Sequence, residues 1–281
     1  MTEVLRFALN RMSAPRLALP EFVALCRRLG IDAIEIRNDL AGVEIEDGTA
    51  AADIGAAMSA AGLTILSVNA LQRFDQFDAA RASEARALAR FAAECGARAL
   101  VLCPTHSRRD TRSADSRFRD LVAALKQLKP ILDDHGLSAL IEPLGFEACA
   151  LRRKSDAVGA IREAEGERHF RLVHDTFHHH LAGEALFFPD LTGLVHVSGV
   201  DNADLAVGAM RDSDRVLVGA ADRLGNVEQL NTLFARGYLG HVSFEPFAEE
   251  IAASNDIERQ LRASIDYLRA GVDPTHRRAA A

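Results

Sequence analysis

Residues 98–143, RALVLCPTHSRRDTRSADSRFRDLVAALKQLKPILDDHGLSALIEP, contain an apolar run, a longer stretch of helical period and a second apolar run. RALVLC (98–103) and SALIEP (138–143) are short and apolar at successive positions, as strands covered on both faces of a parallel sheet should be. The same alternation continues in both directions. LRFALN (5–10), AIEIR (33–37) and TILSVNA (64–70) precede this stretch, and RLVHD (171–175), LVHVS (194–198) and HVSFEP (241–246) follow it. Eight strand-then-helix units predict an α/β fold, a single (β/α)8 TIM barrel. A doubly wound sheet is the competitor, but no G-x-G-x-x-G follows the first strand and no P-loop occurs.

The intervening segments carry helix punctuation. Pro20 opens a segment with Phe22, Cys26 and Leu29 on one face, and Gly30 stands where a C-terminal cap belongs, as does Gly237 further on. Ala79 to Gly96 turns Leu88, Ala92 and Cys95 inward, and a last helix stripes Ile257, Leu261, Ile265 and Leu268 behind Ser254 or Asn255 as N-cap. The sixth connection, from His178 to about Leu191, reads as short and irregular. Without a low-complexity linker, 1–272 reads as one domain and 273–281 as a tail expected to fray.

Composition excludes several classes of function. With 281 residues, 48% hydrophobic and 26% charged, the chain has material for a large core. A net charge of −7 lacks the basic footprint of a nucleic-acid binder. Four cysteines, Cys26, Cys95, Cys103 and Cys149, form no C-x-x-C pair, so neither a disulfide framework nor a cysteine zinc site is expected. No signal-peptide pattern opens the chain and no apolar run is long enough to span a membrane, which leads to the expectation of a cytoplasmic protein.

In a barrel of this kind, chemistry sits where strands end. The polar residues there are Asn10, Glu35 with Arg37, Asn69, His106, Glu142, Asp175, His196 and Glu245. Strands five to eight are neighbours, so Glu142, Asp175, His196 and Glu245 converge on one mouth and offer three carboxylates and an imidazole to a divalent cation: Mn²⁺, Mg²⁺, Co²⁺ or Zn²⁺. Any one of these carboxylates taken alone is as well explained by a strand-end ion pair or a helix cap. In HDTFHHH (174–180), His178 lies three residues past Asp175 and faces the mouth from a loop, whereas His179 and His180 read as loop or packing residues. Arg37 is a charge aimed at the same mouth, or else a partner for Glu35 or Asp39. DSDRV (212–216) brings Arg215 to the seventh loop, as a substrate contact or a surface ion pair.

These pieces resemble the xylose-isomerase-like superfamily of sugar isomerases and epimerases. Within it, EIRND near residue 35, VNALQRF near residue 69, DTFHHH, DRV and VSFEPF are most similar to the inosose (2-keto-myo-inositol) isomerase family. The resemblance implies that Glu142, Asp175, His196 and Glu245 ligate one divalent metal ion and that Glu142 and Glu245 double as the acid/base pair. It further implies that His178 and Arg215 touch substrate, with Arg37 and Asn69 beside them. Two departures stand out. HVSGVDN (196–202) puts Ser198 and Gly199 where the family commonly has an acid, and VGAAD (218–222) replaces its P-G-x-G turn. The superfamily also holds apurinic-site endonucleases, whose additional histidine ligands are missing here: Asn69 and Val216 occupy those positions.

The activity so implied is a reversible carbonyl shift or epimerisation of an unphosphorylated keto-polyol or ketose, by proton transfer through an enediolate. Two other functions fit the same residues: an inosose-type dehydratase with His178 as general acid, and a non-catalytic sugar- or metal-binding barrel. The expected partners are a small keto-sugar or keto-inositol and further copies of the chain in a dimer or tetramer, with neither nucleic acid nor membrane.

Overall fold

A computed structural model of the chain describes residues 5–273, so the tail expected from 273 onward lies outside the described residues except for Asp273. Its eight strands are β1 (Phe7–Asn10), β2 (Ala33–Arg37), β3 (Thr64–Gln72), β4 (Ala99–Cys103), β5 (Ser138–Ile141), β6 (Phe170–Asp175), β7 (Thr192–Val197) and β8 (Val242–Phe244). Each pairs in parallel with its sequence neighbour, and β8 closes on β1 through Phe7↔Val242 and Leu9↔Phe244. The closed barrel matches the architecture expected from the sequence, and every apolar run named there overlaps one of its strands.

Helices α1 (Leu19–Leu29), α2 (Ala51–Ala61), α3 (Ala79–Cys95), α4 (Ala114–His135), α5 (Lys154–Glu163), α6 (Thr176–Ala182), α7 (Asn226–Ala235), α8 (Glu249–Ala252) and α9 (Ile257–Gly271) connect and follow the strands. Gly30 caps α1 at φ +70°, a left-handed conformation that costs a residue with a Cβ more than it costs glycine. The start of α9 departs from expectation: Asp256 occupies the cap position, and Ser254 Oγ accepts the Asp256 N–H at 3.1 Å. The irregular sixth connection is in fact helical at its start. Asp175 accepts the backbone N–H of His178 at 3.0 Å and so nucleates α6, which places His178, His179 and His180 on a helix rather than in a loop. None of the described helices is long and apolar enough to cross a membrane.

Alternation along the strands divides the lumen into two levels. Ala8, Ala33, Val101, Leu140, Val173 and Leu194 form a small apolar floor. Two residues on, the same strand faces present Asn10, Glu35, Cys103, Glu142, Asp175 and His196, because side chains repeat their direction every second residue. The intervening residues, such as Leu9, Ile34, Leu100, Ile141, Leu172 and Val195, face the helices and build the main core. A polar mouth above an apolar floor thus follows from period two alone.

The β5–α5 loop packs against α6 at Gly145, where a Cβ would fall 2.1 Å from the His178 carbonyl oxygen and 2.9 Å from Ala182 N. These are backbone atoms of a helix and cannot step aside cheaply. Gly145→Ala is therefore expected to cost about 1–3 kcal/mol by overpacking, read as a lower urea midpoint at unchanged slope. A wild-type midpoint would show that α6 shifts freely.

Candidate functional site

Glu142 follows β5, Asp175 and His196 belong to β6 and β7, and Glu245 follows β8; all four are buried. One ligand atom from each lies within 4.8 Å of the others. His196 Nδ1 is 3.1 Å from Glu142 Oε1, 3.2 Å from Glu245 Oε2 and 3.9 Å from Asp175 Oδ2. The structure thus brings together the four residues expected to meet. Its opposite ring nitrogen, Nε2, is 3.1 Å from Glu35 Oε1. Nε2 thus faces Glu35, and Nδ1 is the nitrogen turned to the cluster.

Glu35 is wholly buried and also receives the hydroxyls of Ser67 (2.6 Å) and Ser243 (2.5 Å). Burial alone would raise its carboxyl, but the His196 ring and the Ser243 hydroxyl outweigh that and hold it below the usual carboxylate range. Sequence reasoning treated Glu35 only as a strand-end charge beside Arg37. The available signal was its parity with Arg37 in AIEIR, which turns both side chains into the lumen.

Two guanidiniums complete the charge set. Arg37 reaches Glu245 Oε1 at 2.8 Å and pairs with Asp39 through Nη2 at 2.7 Å, so of the two partners considered for it Asp39 is the one found. Arg215 reaches Asp175 Oδ2 at 2.6 Å, Glu245 Oε2 at 3.0 Å and Ser198 Oγ at 2.9 Å. Ser198, one of the two departures, therefore helps to orient Arg215. Asn69 Nδ2 and Asn10 Nδ2 approach Glu245 Oε1 at 3.5 and 3.1 Å. Although burial opposes ionisation of Glu245, His196, Arg215 and Arg37 hold its carboxyl far below the usual range.

Four buried carboxylates thus face two buried guanidiniums, which leaves two negative charges while His196 is neutral, the charge of one divalent cation. Burial disfavours the imidazolium, yet Glu245, Glu35 and Glu142 together raise the His196 pKa well above 6.5. The field that draws a proton to Nδ1 is the same field that draws a metal ion, and the two compete for that atom. Hard oxygen donors, the charge balance and an imidazole nitrogen turned to those donors all fit a divalent cation, without selecting which one.

The cluster opens into a cavity of about 410 Å³, within the range of roughly 300–1,000 Å³ usual for small-molecule sites. Asn69, Cys103, His106, His178, Arg215 and Phe247 are among its walls. His178 is buried, packs edge-on against Phe146 and Phe177, and its Nδ1 has no hydrogen-bond partner. His179 instead meets the buried Lys154 at 2.6 Å, the packing role expected for it. Phe247 lies under both guanidiniums, 5.3 Å from Arg37 and 4.6 Å from Arg215.

Residues 23–271 match the family of xylose isomerase-like TIM barrels. The chain belongs to that family. A xylose isomerase domain containing protein of Salmonella typhimurium LT2 is similar at a TM-score of 0.87 and 32% identity, over 95% of this chain and 98% of that one. The IOLI protein, solved with a zinc atom, is similar at 0.82 and 20% identity over 95% and 96% of the two chains. L-Ribulose 3-epimerase is similar at 0.72 and 17% identity over 98% and 97%. None of the curated proteins matches the chain in sequence.

Because Glu35 fixes the imidazole from behind, Glu35→Gln is expected to weaken Mn²⁺ or Zn²⁺ binding about 10–100-fold, measured by equilibrium dialysis with the circular dichroism of the variant unchanged. Wild-type affinity would show that the ring needs no such anchor.

Proposed function

We propose that the protein is a divalent-metal-dependent isomerase or epimerase of an unphosphorylated keto-polyol or ketose, of inosose type. The observation that carries this reading is an asymmetric glutamate pair around one imidazole nitrogen. Glu245 is held by two guanidiniums and stays ionised, whereas among the described residues the second oxygen of Glu142 meets only the Cys103 thiol, at 3.7 Å. A pair of carboxylates opening on one polyol-sized cavity suits the removal of a proton from one carbon and its return at that carbon or the next.

Glu142, Asp175, His196 and Glu245 would hold the ion, which supplies Lewis-acid polarisation of a carbonyl and its neighbouring hydroxyl. Glu142, which makes no ion pair with a guanidinium among the described residues, takes the proton from the α-carbon and returns it at that carbon or the next. Glu245, ionised at the other side of His196, carries the proton of the neighbouring hydroxyl between the two oxygens. The His178 ring, which lines the cavity, hydrogen-bonds a substrate oxygen. Arg37, Arg215 and Asn69 line the cavity but spend donors on Glu245 and Asp175, so their first task is to keep Glu245 oriented and their second is to present their remaining edge to substrate hydroxyls.

Proton NMR in D₂O with metal-loaded protein and 2-keto-myo-inositol tests this. Deuterium is expected at the α-carbon with a shifted carbonyl, and Glu142→Gln and Glu245→Gln are each expected to slow the exchange by about 10²–10⁴-fold. Loss of water to an unsaturated product would replace the isomerase by the dehydratase. Tight metal binding without exchange in any keto-polyol would leave a binding barrel.

A further inference from the structure

Beside the cavity of the carboxylate cluster lies a second one, of about 400 Å³, and the two share His106 and Phe146 as a common wall. The rings of that wall are stacked at 4.6 Å and 5°, and Phe146 also contacts the His178 ring at 5.2 Å. A molecule seated on the cluster therefore needs to pass only the edge of one ring stack to enter the neighbouring space.

The chemistry of the second cavity is cationic. Arg108, Arg152 and Arg211 line it, against the single exposed carboxylate of Glu147. Arg152 is fixed by the carbonyl oxygens of Gly145 (2.7 Å) and Leu181 (2.8 Å). Arg211 donates to the carbonyls of Gly208 (3.0 Å) and Met210 (2.7 Å). Arg108 makes no hydrogen bond or ion pair with any described residue. None of the three meets a carboxylate, whereas Arg37, Arg112 and Arg215 at the same face of the barrel each do. Three positive charges are thus gathered around one hollow, two of them aimed by main-chain oxygens that orient a guanidinium without neutralising it.

We infer that this cavity is a subsite for a carboxylate, so that the preferred substrate is a keto-polyol carrying a carboxylate at the end remote from its reacting carbons. This rests on the proposed isomerase reading for the reacting end alone. A carboxylate is favoured over a phosphate because the α-helix that borders the cavity, α6, presents its C-terminal Leu181 there, and the partial negative charge of a helix C-terminus opposes a dianion more than a single charge. Planar guanidinium edges also match the planar carboxylate.

The test uses three ketohexoses that differ only at C6: D-fructose, D-fructuronate and D-fructose 6-phosphate, titrated calorimetrically into Mn²⁺-loaded protein. Fructuronate is expected to bind about tenfold more tightly than fructose, as one charge-assisted hydrogen-bond pair would give. In Arg108→Ala/Arg211→Ala, two exposed positions, that preference is expected to fall to within about twofold while fructose binding is unchanged. Equal affinity for fructose and fructuronate, a preference that survives the double variant, or tighter binding of the phosphate than of the carboxylate would each overturn the assignment. Exchange of the α-proton in D₂O separates the two readings. Fructuronate preference without exchange in any ketose leaves the subsite and removes the isomerase; exchange without preference does the reverse.

Discussion

Carboxylates buried side by side repel one another and have lost their water, and this constraint organises the mouth of the barrel. Glu35, Glu142, Asp175 and Glu245 come from β2 and from the ends of β5, β6 and β8, yet they surround a single imidazole. Everything packed around them lowers the electrostatic cost. Arg37 and Arg215 meet different oxygens of Glu245 and share Phe247 as a platform, two serine hydroxyls point at Glu35, and two asparagine amides point at Glu245. The floor beneath is lined by buried apolar side chains, which lower none of that cost.

The barrel was legible because its strands are short apolar runs at regular spacing, and the four clustered residues because each lies in the C-terminal part of one of those runs. Period two then puts them on one face without any knowledge of loops. Glu35 was harder to interpret. Its direction follows from parity, but its partnership with His196 depends on the curvature that brings β2 opposite β7 across the lumen, which no local pattern encodes. His178 went astray for a different reason. A helix cap enters for Asp175 only as the alternative to a ligand, and preferring the ligand leaves the residues after it in a loop; here the aspartate is placed to serve as both.

The seventh loop shows why substrate identity is the least legible property. Gly199 forms a backbone bridge with Val216, Ser198 aims Arg215, and Asp222 caps α7 by accepting the N–H of Asn226 at 2.9 Å. These residues stand where the family pattern leads one to expect an acid and a glycine turn, and one of them, Ser198, holds the arginine. Loop residues are free to vary so long as the guanidinium arrives, so the pattern in sequence underdetermines the shape of the rim.

The seam of the barrel has a consequence for how the protein acquires its site during synthesis. β8 has only three residues, pairs with β1, and is followed at once by Glu245, which lies 235 positions from its neighbour Asn10. Ring closure and completion of the carboxylate cluster are therefore one event. A nascent chain stalled before residue 242 holds three of the four convergent side chains in an open, edge-exposed sheet, so the cluster is completed only when the last strand leaves the ribosome and joins the first.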